Sequence, residues 1–420
     1  MNVRLPFGKT QVELDLSGIN TTVLEPRFVA GLDDEKGAFF QACDSPIGAN
    51  PLKESIESGD RVAILIPDAT RPFPSHRVLP WLMEAIDHVP RENVVIINGT
   101  GSHRGNTPEE LLTLVGSEIY ENYRVVNHSA HEPEGLTHVG KSPFGYEVYQ
   151  NSEYVNADKR ILAGFIEPHF MAGYSGGYKA AFPGVTNIDA IMQYHSAMVV
   201  GDPLSSWGNL ENNPTQEHVR AGGKLLGADF LVNVTLNKDR AITRFFCGDV
   251  IEAHEAGCAY VKESAMIGCD KPFPIVITSN NGYPLDQNLC QSVKGMSTAA
   301  QIVEKGGLIL VAAECSDGFP EHGNYRKLLF DYPSPAALLD AIRQPGFSVF
   351  DQWQVQLQAL ICQKARVGIL SRLEPSEVRK AHLTPVESLQ EALETELDRV
   401  GSKASVAILP EGPVTVPYLL

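Results

Sequence analysis

A chain of 420 residues, 43% apolar and 20% charged, has a globular composition and is too long for one typical core, so two domains are expected. Thirty-four basic against 51 acidic residues leave a net charge of −17, which argues against a nucleic-acid partner, because that needs a basic face. A small anionic substrate stays open, since a local Arg/Lys cluster outweighs distant charge beyond a Debye length of ~8–10 Å. Residues 1–9 show no apolar signal-peptide core, and no run approaches the ~18 apolar residues of a membrane span. Seven scattered cysteines form no CxxC pair. A cytoplasmic chain without a membrane partner is expected.

In chain order, short β-branched runs alternate with helical patterns. Residues 62–66 read as a buried strand, followed by a helix that Ser75 can cap and that runs through residues 81–84. Residues 94–97 read as the next strand. Thr107-Pro108-Glu109-Glu110 then gives a capping-box helix start, with Pro at N1 and Glu at N3. Runs at 161–165 and 230–234 extend this series. A second series has strands at 275–278, 308–311 and 367–370, with 268–272 as the connection. A helix at about 385–400 precedes a last strand at 406–409. The expected fold class is α/β: two α/β domains with a cofactor cleft between them. Residues 1–266 would form the cofactor-binding and catalytic domain, to which 401–420 returns. Residues 272–400 would form a C-terminal α/β domain that contributes substrate-binding residues.

The polar loops fall after strands, where ligands bind in α/β folds. Asp68-Ala69-Thr70-Arg71-Pro72 follows the first strand. Asp68 there can accept from a ribose, and the planar fork of Arg71 can grip a carboxylate, although a plain polar turn uses the same residue types. Gly99-Thr100-Gly101-Ser102-His103-Arg104 follows the second. An imidazole titrates near pH ~6.5, so His103 and, after the next buried strand, His169 can both exchange protons. The stretch from Glu167 to Lys179 holds that histidine, three glycines and a lysine in thirteen residues. It is no Walker A loop, because the glycine spacing differs and Ala180 stands where a magnesium-binding hydroxyl would be. Desolvated, Lys179 is an amine nucleophile; otherwise it is an anion clamp. His195 sits in a predicted helix. Gln291 and Lys294, three apart, share a helix face after the loop 280–288. Asp317-Gly318 with Glu321-His322-Gly323 reads as a mobile polar loop. There is no HExxH and no paired CxxC, so a metal here would take most ligands from a cofactor.

Five ordered blocks together resemble the lactate racemase family, the nickel-pincer-nucleotide-dependent 2-hydroxyacid racemases and epimerases. They are DATRP at 68–72, TGSHR at 100–104, EPHFMAGYSGGYKAAFPG at 167–184, QYHS at 193–196 and NNGYPLDQNLCQSVKGM at 280–296. The resemblance implies a cofactor, Ni(II)-pyridinium-3,5-bisthiocarboxylic acid mononucleotide, covalently attached at Lys179, with His195 as the protein ligand to nickel. It implies nucleotide contacts at Asp68, Ala69, Thr70 and Arg71. It makes His103 and His169 the acid/base pair, and Arg71, Gln291 and Lys294 substrate-binding residues. The implied reaction interconverts D and L 2-hydroxy acids by hydride transfer through a planar 2-oxo acid. Cofactor-synthesis proteins are the implied partners for loading, beside the small-molecule 2-hydroxy acid. The chain departs from the family's usual pattern at Cys290, where a tyrosine is common; the change removes a hydroxyl and much volume. A short aliphatic substrate such as lactate is expected, with epimerization of a larger hydroxy acid (malate, an aldonate) as the alternative. Two further readings are a nicotinamide-dependent dehydrogenase, against which no GxGxxG opens a βαβ unit, and a non-catalytic anion-binding protein.

Overall fold

The computed structural model describes residues 1–321 and 323–420; His322, part of the predicted polar loop, lies outside the described residues. The chain divides into two compact units. One comprises Phe28–Tyr194 and Leu204–Lys262, the other Met1–Arg27, His195–Pro203 and Glu263–Leu420.

The first unit is built on a six-stranded sheet. Its order is Ile242–Gly248, Phe230–Leu236, Lys159–Phe165, Val62–Pro67, Val94–Gly99 and Arg124–Asn127. All neighbours are parallel except the first pair. The central strands are apolar on both faces. Val62, Ile64 and Ile66 enter one core, while Ala63 and Leu65 enter the other. Side chains alternate across a strand, so a sheet covered on both faces needs this unbroken hydrophobic run. Thr107 caps the helix Pro108–Val115 in a reciprocal capping box with Glu110. Ser75 does not cap as expected: Pro74 holds the cap position, and Ser75 is the first helical residue.

The second unit carries a parallel six-stranded sheet in the order Thr384–Pro385, Arg366–Leu370, Val303–Ala312, Phe273–Ser279, Val406–Leu409 and Thr21–Val23. Two domain expectations are corrected here. Residues 401–420 do not return to the first unit, because Val406–Leu409 pairs with Phe273–Ser279 and Thr21–Val23. Residues 1–27 belong here too. Leu5, Leu14 and Leu16 of the N-terminal hairpin share a core with Ile275, Ile277, Ile408 and Leu393. The hairpin's one apolar face has to be covered, and this sheet covers it. The expected connection 268–272 overlaps a short strand, Met266–Cys269, which pairs with Val416–Leu419.

Among the described residues no helix is long and apolar enough to cross a membrane.

Candidate active site

In the first unit, Lys159–Phe165, Val62–Pro67 and Val94–Gly99 are neighbours in the sheet. Their C-terminal ends therefore bring together the loops that begin at Glu167, Asp68 and Thr100. Asp68 is buried, and its Oδ2 lies 2.7 Å from His103 Nδ1. The Thr70 hydroxyl donates to Asp68 Oδ1 at 2.6 Å. Burial pushes the Asp68 carboxyl up, but the His103 hydrogen bond and charge, Thr70 and the Arg71 charge outweigh it and hold it below its usual value. The carboxylate can only accept, so His103 Nδ1 carries a hydrogen, and in the neutral ring Nε2 presents the lone pair. Ala69 N–H donates to Asn106 Oδ1 at 3.4 Å, and Arg71 N–H to the Asp68 carbonyl at 3.0 Å. The Arg71 side chain is exposed.

His169 has the opposite arrangement. The backbone N–H groups of Met171 and Ala172 both donate to its Nδ1 at 3.2 Å. That nitrogen is an acceptor, so in the neutral ring the hydrogen sits on Nε2. His169 Nε2 lies 3.4 Å from Lys179 Nζ, which is also 3.3 Å from Tyr194 Oη. Part of the Lys179 side chain reaches the surface, but its amine is packed in by protein. Burial first, and the Arg71 charge second, lower its pKa to about 7 against an opposing pull from Glu167. A neutral amine can accept the His169 N–H, which matches the direction of the lowered pKa.

Ser175 pins the loop that carries these groups. Its hydroxyl donates to Phe165 O at 3.0 Å and accepts from Glu167 N–H at 2.9 Å. Gly176 and Gly177 both have positive φ, at 80° and 56°, which a side chain would strain.

The remaining expected residues lie in the second unit. His195 is not on a helix as expected; it follows the end of Ile188–Tyr194. Its ring stacks on Trp353 at 4.3 Å between centroids, and the Gln352 amide donates to its carbonyl at 3.2 Å. Lys294 Nζ donates to Gln291 Oε1 at 2.9 Å on the helix Leu289–Ile302, which Asn288 caps. Cys290 has its thiol pushed up to about 12, mainly by burial, and its carbonyl accepts from the Gln354 amide at 2.7 Å.

Trp353, Tyr194, Asn233 and His254 escaped the sequence reading. Trp353 is remote in sequence from the His195 ring it stacks on, and Asn233 and His254 from the Gly177 N–H and Ser175 carbonyl they contact, whereas Tyr194 adjoins His195.

A nickel-pincer nucleotide brings its own sulfur and carbon donors. Among the described residues no group of three or more His, Cys, Asp or Glu could hold a metal ion unaided. A cofactor attached through an amine fits the first unit in one respect: Lys179 supplies a deprotonatable amine there.

Comparison with known proteins shows the family. Residues 7–208 match the lactate racemase N-terminal domain, and residues 269–416 the lactate racemase C-terminal domain. The lactate racemase of Thermoanaerobacterium thermosaccharolyticum is 33% identical, with 98% of each chain covered. That of Lactiplantibacillus plantarum is 35% identical over 90% of each. The structure of the T. thermosaccharolyticum lactate racemase apoprotein superposes with a TM-score of 0.91, at 32% identity, over 99% of this chain and all of the other. A Thermotoga maritima protein shares the fold at a TM-score of 0.68 and 17% identity, covering 94% of this chain and 100% of its own. The chain belongs to the lactate racemase family, whose racemases are isomerases.

Proposed function

We propose that this chain interconverts the D and L enantiomers of lactate or another short-chain aliphatic 2-hydroxy acid, with a nickel-pincer nucleotide attached at Lys179. The observation that carries this reading is the Lys179 amine, lowered to about 7 and 3.4 Å from the His169 imidazole. An ordinary surface lysine is almost fully protonated at neutral pH and cannot act as a nucleophile; this one is substantially free. His195 would be the protein's ligand to nickel, and Asp68, Ala69, Thr70 and Arg71 would contact the nucleotide. When bound, the cofactor supplies a reversible acceptor for the Cα hydrogen together with its electron pair.

The chain's own residues handle the proton and the carboxylate. His103 Nε2 takes the hydroxyl proton, and Asp68 stabilises the imidazolium that forms. His169 presents an N–H from the other ring, suited to the oxygen of the planar 2-oxo acid. Two imidazoles with opposite hydrogen-bonding character fit a reaction in which a hydroxyl proton leaves and returns on different faces. Arg71, Gln291 and Lys294 would hold the substrate carboxylate while the planar intermediate reorients. Loading would need cofactor-synthesis proteins as partners.

The test is chiral chromatography of optically pure lactate after incubation with chain produced alongside the cofactor-synthesis machinery. Appearance of the opposite enantiomer supports the reading. A panel that includes malate and an aldonate separates lactate from the larger substrates kept as the alternative at Cys290. Enantiomers left unchanged across the panel by nickel-loaded protein would reject the racemase assignment. Stoichiometric NADH formation would favour a dehydrogenase.

A further inference from the structure

The mechanism leaves two wholly buried histidines unused, His128 and His254, and only the second touches the loop that carries Lys179. His254 is 1% exposed, on the helix Glu252–Ala265, behind the loop that carries Lys179. Its Nε2 lies 2.8 Å from the Ser175 carbonyl, which can only accept, so Nε2 carries the hydrogen. Cys258 Sγ lies 3.4 Å from the same nitrogen. Burial lowers the His254 pKa to about 4, so the ring is neutral near pH 7. The ring also sets the shape of the loop: a Cβ on Gly177 would stand 2.8 Å from His254 Cγ. On the other side of the peptide, Gly177 N–H donates to Asn233 Oδ1 at 2.9 Å, and Asn233 is itself buried on Phe230–Leu236. The short helical turn Gly177–Ala180 starts at this clamp and contains Lys179.

We propose that His254 is a positioning residue, whose N–H holds the Ser175 carbonyl and whose ring backs Gly177 so that the loop presents the Lys179 amine to the site. The two contacts explain the residue types. Only glycine lies against an imidazole at that separation, and a neutral donor satisfies a buried carbonyl without placing a charge beside it. The proposal builds on Lys179 as the attachment amine, but its test does not need the cofactor.

The experiment is trace labelling of the cofactor-free full chain with acetic anhydride across a pH series, followed by peptide mass mapping of Lys179. The wild-type amine should titrate near 7. In His254→Leu the carbonyl loses its donor, the loop relaxes, and the amine gains solvent. Its apparent pKa should then rise toward that of an ordinary lysine, with labelling at neutral pH falling roughly tenfold per pKa unit. His254→Gln, whose amide reaches the Nε2 position, should restore most of the wild-type profile. His254→Asn, whose amide does not reach it, should not.

A stability loss alone would not move the Lys179 titration, and it would not separate glutamine from asparagine. If the leucine chain is insoluble, the Gln/Asn pair decides by itself. A wild-type Lys179 profile in the leucine or asparagine chain, or equal profiles in the glutamine and asparagine chains, overturns the positioning role. A cofactor found elsewhere than on Lys179 would overturn the attachment and leave the labelling result standing, so the two failures are distinguishable.

Discussion

His169 Nε2 stands 3.4 Å from Lys179 Nζ, and the two nitrogens cannot both be donors. The backbone amides of Met171 and Ala172 occupy the other ring nitrogen, so in the neutral ring His169 carries its hydrogen on Nε2 and a neutral Lys179 amine can receive it. Burial first, and the Arg71 charge second, lower that amine to about 7, and this contact is compatible with its neutral form.

That amine makes stability depend on pH with a definite sign. Its folded pKa of about 7 lies below its unfolded value of roughly 10.4, so between these values unfolding takes up a proton and stability rises with pH. Below pH 7 the full cost of deprotonating or burying the charge is present. Lys179→Met should therefore raise the Tm of the cofactor-free chain most at pH 6–7, with the gain shrinking toward pH ~10. Calorimetry across that range checks it; a constant Tm difference would contradict the lowered pKa.

Asp68→Asn should leave the fold intact and reduce racemization by roughly 10²–10⁴-fold, since the amide no longer stabilises a protonated His103. Because the Asp68 pKa is lowered, its stabilising contribution is present above its unfolded value and is lost as the pH falls through the folded one. The wild-type Tm should accordingly drop more than that of Asp68→Asn on acidification below pH ~4. Enantiomer assays and paired melts measure both effects.

His103→Ala and His169→Ala should each abolish enantiomer interconversion while nickel stays bound, because neither ring is the proposed metal ligand. Chiral chromatography beside metal analysis reads the two outcomes separately. Turnover near the wild-type rate in either variant would sink the two-histidine scheme.

The capping box gives a prediction independent of chemistry. Thr107→Ala removes the side-chain acceptor for Glu110 N–H and should cost about 1 kcal/mol of stability. Denaturant unfolding measures it, and an unchanged midpoint would show that the cap contributes little.

Much of this architecture is legible in the chain, for physical reasons. The runs at 62–66 and 161–165 are apolar at every position because both sheet faces are covered, and such runs stand out in a sequence. The capping box is equally visible, because its partners are three residues apart. Long-range assignment was not. Nothing local in Val406–Leu409 says which sheet it joins; only pairing with Phe273–Ser279 decides it. Ser75 looked like a cap, but Pro74 precedes it and takes that place.

The site divides in the same way. Asp68, His103, His169 and Lys179 sit in polar loops directly after apolar strands, so their shared location could be inferred from the sequence. Their supports could not. Trp353, stacked on His195, lies on a helix whose Gln352, Gln354, Gln356 and Gln358 are all buried. Those four amides donate to the carbonyls of His195, Cys290, Ala197 and Ala381. A helix rich in glutamine reads as a solvated face until the distant carbonyls it satisfies are known.

The most direct test of the central claim is mass mapping of Lys179 in chain produced with the cofactor-synthesis machinery, alongside nickel analysis. The account predicts a nickel-bearing nucleotide mass on the Lys179 peptide and no addition in Lys179→Arg. Nickel-replete, active protein with an unmodified Lys179 would contradict it.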